Sequence, residues 1–240
     1  MQHVCLIVGA SGSIGKAIAK QFSEKEYNLI LHYQHNEQAI ADLNEELPPQ
    51  TILQSIQADL STSNGIDEFC GKLPFHIDVV IFAGGKNLVK MYQDVESKEM
   101  DEMYHLHVKT PWVVTKHLLP SMISRKSGHI VLVSSIWGEV GASCEVIYSS
   151  VKGAQDSFVK SLAKEVAPSG IHVNGIRPGF IDTKMNSHIQ GEDQDLIQEE
   201  IPLGRFGTPG EVAALVSFLT SSDASYIQGQ LINVNGAWSG

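Results

Sequence analysis

Seven short apolar runs, separated by longer amphipathic stretches, leave few folds open to this chain. The runs are VCLIV (4–8), NLILHY (28–33), TILQSIQ (51–57), DVVIFA (78–83), HIVLVSS (129–135), IHVNGIR (171–177) and QLINVN (230–235). Between them lie stretches with helical periodicity, among them IGKAIAKQFSEKE (14–26), NEQAIADLNEEL (36–47), PWVVTKHLLPSM (111–122) and VKGAQDSFVKSLAKEV (151–166). Apolar runs of this kind suit strands covered on both faces, and their alternation with helices predicts a parallel sheet. Right-handed crossovers then give an α/β, doubly wound parallel sheet of the Rossmann type. A length of 240 residues suits one such domain over 1–240, and no repeat, low-complexity linker or composition break divides it. The least regular piece is 184–210, whose Gly, Pro and acidic residues fit a mobile segment over a site or a plain surface insertion.

Bulk properties remove several function classes. The net charge of −10 opposes general binding to nucleic acid or to an anionic membrane. No apolar run approaches the ~18 residues of a membrane span, and the start MQHVCLIVGASGSIG has no leader-like pattern. Cys5, Cys70 and Cys144 share no metal-ligand spacing and cannot all pair, so neither a metal site nor a disulfide framework is expected. A reduced, cytoplasmic protein is the expectation.

Gly9-Ala10-Ser11-Gly12-Ser13-Ile14-Gly15 joins the first strand to the first helix. Backbone amides and the helix dipole at such a place receive a pyrophosphate, with Gly9 making the turn, Gly12 allowing close approach and Gly15 packing helix on strand. A purely structural turn is the competing reading. The second strand ends at Tyr33, followed by Gln34-His35-Asn36. No carboxylate stands there to bind a ribose 2′-hydroxyl, so the lean is to NADP(H) over NAD(H). Asp59-Leu60, after the third strand, fits an adenine contact or an ordinary helix N-terminus equally well.

Tyr148 and Lys152 stand four residues apart, one turn along the same helix face. A lysine charge there favours the phenolate and brings a phenol of pKa ~10 towards use as an acid or base. Ser135 closes the fifth strand, thirteen residues before Tyr148, at the strand end where open α/β sheets bind ligands. The three make a connected proposal: Ser135 polarises a carbonyl, Tyr148 donates a proton, and Lys152 tunes the phenol and holds a cofactor ribose. A serine hydrolase would need G-x-S-x-G, and Ser135 is flanked instead by Ser134, Ile136 and Trp137.

With these residues in this order the chain resembles the classical short-chain dehydrogenase/reductases over essentially its whole length. Asn174, Arg177-Pro178-Gly179, Ile181-Asp182-Thr183 and the closing Gly229-Gln230 and Val234-Asn235-Gly236 extend the likeness. Within that family it is similar to 3-oxoacyl-carrier-protein reductases. Through 134–149 and 163–174 it looks closest to reductases of the 5-aminopentanone modification on elongation factor P. The resemblance implies an NADPH-dependent reduction of a ketone to a secondary alcohol, in a homo-oligomer (dimer or tetramer) paired through the helix bearing Tyr148 and Lys152 and through the last strand. It implies catalytic roles for Ser135, Tyr148, Lys152 and His107. Cofactor contacts are implied from Gly9, Ser11, Gly12, Ser13, Ile14, Gly15, Tyr33, Asp59, Leu60 and Gly84. Further contacts are implied from Tyr148, Lys152, Pro178, Gly179, Ile181 and Thr183.

Four positions depart from the family pattern. Val8 replaces a threonine, Ser13 stands where the middle glycine falls, and Phe82-Ala83-Gly84-Gly85 replaces Asn-Asn-Ala-Gly. His107 replaces an asparagine that anchors a water chain to the lysine; a histidine can hold a water in its place, and an ordinary satisfied helix histidine is the equally open reading. These departures keep open a cofactor-binding sensor without chemistry. The loop 136–145 supplies Trp137, Glu139 and Glu145 as substrate contacts, and its carboxylates favour a substrate bearing an ammonium group. A rim role for both glutamates is equally open. Arg125 and Lys126 offer some attraction for an acidic acyl carrier protein, the alternative partner, but the charge of −10 works against it.

Overall fold

The computed structural model describes residues 3–186 and 191–239. Seven strands, β1 (Val4–Val8), β2 (Asn28–Tyr33), β3 (Ile52–Gln57), β4 (Val79–Phe82), β5 (Gly128–Val133), β6 (Ile171–Pro178) and β7 (Leu231–Val234), form one sheet in the order β3-β2-β1-β4-β5-β6-β7. Every pairing is parallel, from Leu29 opposite Ile52 at one side to Pro178 opposite Val234 at the other.

The apolar runs are unbroken because both faces are covered. Leu6 and Val8 point to a core layer shared with α3 (Ser63–Gly71), α5 (Thr110–Arg125) and α7 (Val146–Val166), which contribute Phe69, Leu118 and Val159. Their neighbours Cys5 and Ile7 point to the opposite layer, which α1 (Ser13–Glu24), α2 (Glu37–Glu46) and α9 (Pro209–Leu219) close with Ile18, Leu43 and Val216. Each fully buried aliphatic side chain is worth about 1.5–3 kcal/mol, and the two layers together fix the register on both faces.

Three remaining helices, α4 (Ser97–Tyr104), the short α6 (Trp137–Val140) and α8 (Glu192–Glu200), lie at the carboxyl end of the sheet. The irregular segment expected at 184–210 contains more order than its composition suggested. It holds a 3-10 turn at Lys184–Asn186, helix α8 and a bridge between Gly207 and Ile181. Helix α8 was hard to read because its sequence EDQDLIQEE shows no apolar face, and Leu196 is indeed exposed. Residues 187–190 of that segment lie outside the described residues.

Helices α4 and α5 are joined by a π-helical turn, His105–Lys109, in which the Thr110 amide reaches His105. Pro111 explains it. Its nitrogen carries no hydrogen for the carbonyl of residue 107, and its ring would press on that carbonyl in a regular helix. Among the described residues no helix is long and apolar enough to cross a membrane.

Candidate active site

The chain runs outward from β1 to β3, then returns to β4 and runs the other way, which opens a crevice at the carboxyl ends of β1 and β4. The glycine loop sits there. A Cβ on Gly9 would fall 2.2 Å from Gly84 Cα, and one on Gly15 would fall 2.2 Å from the Gly9 carbonyl oxygen. Gly9 also adopts φ +86, which side chains disfavour. Helix α1 begins after Gly12 with no side-chain cap and no acidic residue in its first turn. Its leading amides are therefore left for an anion, as a pyrophosphate-bearing cofactor requires.

A residue missed in the sequence steadies this loop. His32, buried near the end of β2, accepts the Gly9 amide on Nδ1 at 3.1 Å and donates from Nε2 to the Ala58 carbonyl at 3.1 Å. Burial lowers its pKa to about 4, so it is neutral and this one tautomer satisfies both partners. The signal available was a histidine inside an otherwise apolar strand.

Around the crevice lies a cavity of about 330 Å³. It brings together Ser135, Tyr148 and Lys152 with Trp137, Glu145 and, from the cofactor set, Ile14, Gly84, Pro178, Gly179, Ile181 and Thr183. Ser11 and Ser13 stand on the glycine loop beside it, and the Ser13 hydroxyl accepts the Lys184 amide at 3.4 Å. Asp59 follows β3 and does not line the cavity; one of its oxygens is bonded to Gln34 and Ser61. Tyr33 is buried at the β2 terminus, and the Leu60 side chain belongs to the core, so only its backbone can meet a ligand.

Helix α7 carries Tyr148 and Lys152 on its inward face. Lys152 is buried, and its Nζ donates to the Val133 carbonyl at 2.9 Å and to Gln155 Oε1 at 3.3 Å. Desolvation lowers its pKa to about 7 against the opposing pull of Asp156. The expectation that Lys152 depresses the Tyr148 phenol is not what the structure shows. Burial first, then the Glu145 charge, pushes that phenol well above its usual range, and only the Ser135 hydroxyl draws it down. The lysine nitrogen sits 5.5 Å over the ring centre of Tyr148. The phenol thus stays protonated. Ser135 Oγ accepts the Trp137 amide at 3.2 Å, which leaves its own hydrogen to donate.

His107 lies in the π turn, fully buried, its ring edge-on to Tyr148 at 5.7 Å. Its Nε2 donates to the Lys86 carbonyl at 2.9 Å, and burial with the Lys152 charge lowers its pKa to about 3. Nδ1 is a buried acceptor without a hydrogen-bond partner, and His107 does not line the cavity.

The two loop glutamates separate. Glu139 does not line the cavity; its Oε1 pairs with Arg177 at 2.8 Å and its Oε2 accepts Asn233 at 3.2 Å. Arg177 also holds buried Asp156 at 2.8 Å, so Glu139 ties α6 to the sheet. Glu145 does line the cavity, half-buried, and desolvation raises its pKa while a bond from the Trp137 side chain partly opposes this. No cation stabilises it among the described residues. Trp238, also missed, crosses from the C-terminal tail to pack on Trp137 at 5.2 Å and lines the same cavity.

A family model described as "Enoyl-(Acyl carrier protein) reductase" matches residues 9–239. The chain belongs to the short-chain dehydrogenase/reductase family. It is an NAD(P)-dependent oxidoreductase, and the glycine loop, bare helix start and crevice fit the nicotinamide cofactor this family uses. It is 47% identical over 240 residues to "Uncharacterized oxidoreductase YmfI" of Bacillus subtilis (strain 168), covering 99% of each chain. It is 34% identical over 238 residues to the 3-oxoacyl-[acyl-carrier-protein] reductase FabG of Aquifex aeolicus (strain VF5), covering 97% of this chain and 96% of that one. Among solved structures, YwfH, described as an NADPH-dependent reductase involved in bacilysin biosynthesis, superposes with a TM-score of 0.89 at 23% identity, covering 100% and 99% of the two chains.

Proposed function

We propose that this protein is an NADPH-dependent ketone reductase whose substrate carries an alkylammonium group, with the 5-aminopentanone modification of elongation factor P as that substrate. The observation that carries the reading is Glu145: a half-buried carboxylate without a cation, in the cavity that also holds Ser135, Tyr148 and Lys152. Desolvating a carboxylate is costly unless a positive group meets it. Trp137 and Trp238 supply aromatic surface suited to the same cation.

In this reading the reduced nicotinamide supplies the hydride when bound. Ser135, its oxygen already occupied by the Trp137 amide, donates its hydrogen to the substrate carbonyl. Tyr148, kept protonated by burial, transfers its proton to the developing alkoxide, and the product is the secondary alcohol. Lys152 orients the cofactor ribose and the phenol from a fixed position. His107 offers Nδ1 to a bridging water between the π turn and Lys152. The sequence Gln34-His35-Asn36 after β2, free of carboxylates, favours a 2′-phosphate and hence NADP(H). Action in the cytoplasm as a homo-oligomer completes the proposal; exposed Trp112, packed near Phe158 of α7, offers surface for pairing.

The second reading, a 3-oxoacyl-carrier-protein reductase, is favoured by the FabG likeness. It asks a chain of net charge −10 to attract an acidic carrier. NADPH oxidation with ketone-bearing elongation factor P and with an acetoacetyl thioester, each on the parent protein and on Glu145→Gln, separates the two. Preference for the modified factor, with KM raised at least tenfold in Glu145→Gln, is the expected result. Efficient turnover of the thioester, unaffected by Glu145→Gln, would replace this reading with the second.

A further inference from the structure

We propose that Gln155 is a positioning residue that ties Lys152 to the π turn through the carbonyl left free by Pro111. The inference rests on the reading that Tyr148 and Lys152 do the chemistry. Pro111 has no amide hydrogen, so the His107 carbonyl lacks the donor that a regular helix would give it. Gln155, one turn beyond Lys152 on the buried face of α7, donates Nε2 to that carbonyl at 2.7 Å. The other end of the amide, Oε1, then faces Lys152 Nζ at 3.3 Å. The orientation is over-determined, because an acceptor stands on one side and an ammonium donor on the other.

With the Val133 carbonyl at 2.9 Å, Gln155 fixes two of the three directions in which the ammonium can donate. The third is left for the cavity, which Lys152 lines. A buried ammonium held by two carbonyl oxygens is both aimed and favoured over its neutral form. The other ionisable groups that face it are Tyr148 and Asp156 of α7 and neutral His107 of the π turn. Arg177 of β6 stands behind Asp156.

The test is the pH profile of kcat for ketone reduction by Gln155→Leu, Gln155→Glu and Tyr148→Phe, with melting temperature and NADPH affinity measured alongside. Loss of one hydrogen bond to a charged group corresponds to a fall in kcat of about tenfold or more in Gln155→Leu. Its activity should also decline at lower pH than in the parent, because the ammonium has lost an acceptor. Gln155→Glu, which keeps the size and adds a negative charge, should move that decline to higher pH and carries the test even where the leucine variant folds poorly. Parent-like profiles in both variants, or a loss of kcat with an unshifted decline, would overturn the inference while an inactive Tyr148→Phe leaves the underlying chemistry standing. Turnover retained in Tyr148→Phe would overturn the chemistry itself and the inference with it.

Discussion

Removing Asp156 should be among the most damaging single changes in the molecule. Asp156 and Arg177 are both buried, at 4% and 7% exposure, and the carboxylate Oδ2 receives Nε and a terminal nitrogen of the guanidinium, each at 2.8 Å. Deleting Asp156 leaves the buried guanidinium with only the half-exposed Glu139 as a partner, at a cost of about 3–5 kcal/mol. In a domain of this size 1 kcal/mol moves Tm by about 2–4 °C, so Asp156→Ala should melt roughly 6–20 °C lower. The pair itself is not the source of that figure. Replacing both residues together, as Asp156→Leu with Arg177→Met, removes both buried charges of the pair and frees only the half-exposed Glu139, so it should cost less than Asp156→Ala alone. The effect reaches the site, because Arg177 also grips Glu139 at 2.8 Å and Gly138 packs so closely that a Cβ there would lie 3.1 Å from an Asp156 oxygen. Differential scanning calorimetry and chemical unfolding of the three proteins provide the assay. A loss under ~1 kcal/mol in Asp156→Ala, or a double variant less stable than the single one, would refute the stranded-charge reasoning.

Acid should unfold the protein early, since His32 and His107 are buried neutral with pKa values near 4 and 3. Both values lie below the unfolded ~6.5, so the unfolded state binds more protons and the stability present above pH ~6.5 drains as pH falls towards 4. For His32 alone the full loss is about 3 kcal/mol, and His32→Gln should flatten the fall in chemical unfolding measured between pH 7 and pH 4.5. The same variant should weaken NADPH binding by several-fold in fluorescence titration, because the Gly9 amide loses its anchor. Trp238→Ala should raise KM for the amino-ketone while leaving NADPH affinity within about twofold, since Trp238 meets the cavity on the Trp137 side. Equal losses in both parameters would show that the tail supports the whole site instead.

The sheet was legible because burial on two faces writes itself as unbroken apolar runs, and all seven reappear as strands. Helix α8 was not, because nothing in EDQDLIQEE marks a buried face. At the site, chain spacing placed Ser135, Tyr148 and Lys152 in one cavity, since one strand end and one helix face fix all three. The electrostatics were beyond reach of spacing. Whether Lys152 lowers the Tyr148 phenol depends on how deeply the pair is buried, and burial wins. Two glutamates in one loop looked alike until Arg177, distant in sequence, claimed Glu139 and left Glu145 in the cavity. Trp238 and His32 reach the site through contacts distant in sequence that no local pattern records.

The most direct measurement is NADPH oxidation by the parent protein and by Tyr148→Phe, with a ketone substrate and with cofactor binding followed separately. Turnover is expected in the parent, with a fall of at least a hundredfold in kcat on loss of the phenol proton and a much smaller change in NADPH affinity. Turnover persisting in Tyr148→Phe would contradict this, because the proton would then come from somewhere other than α7.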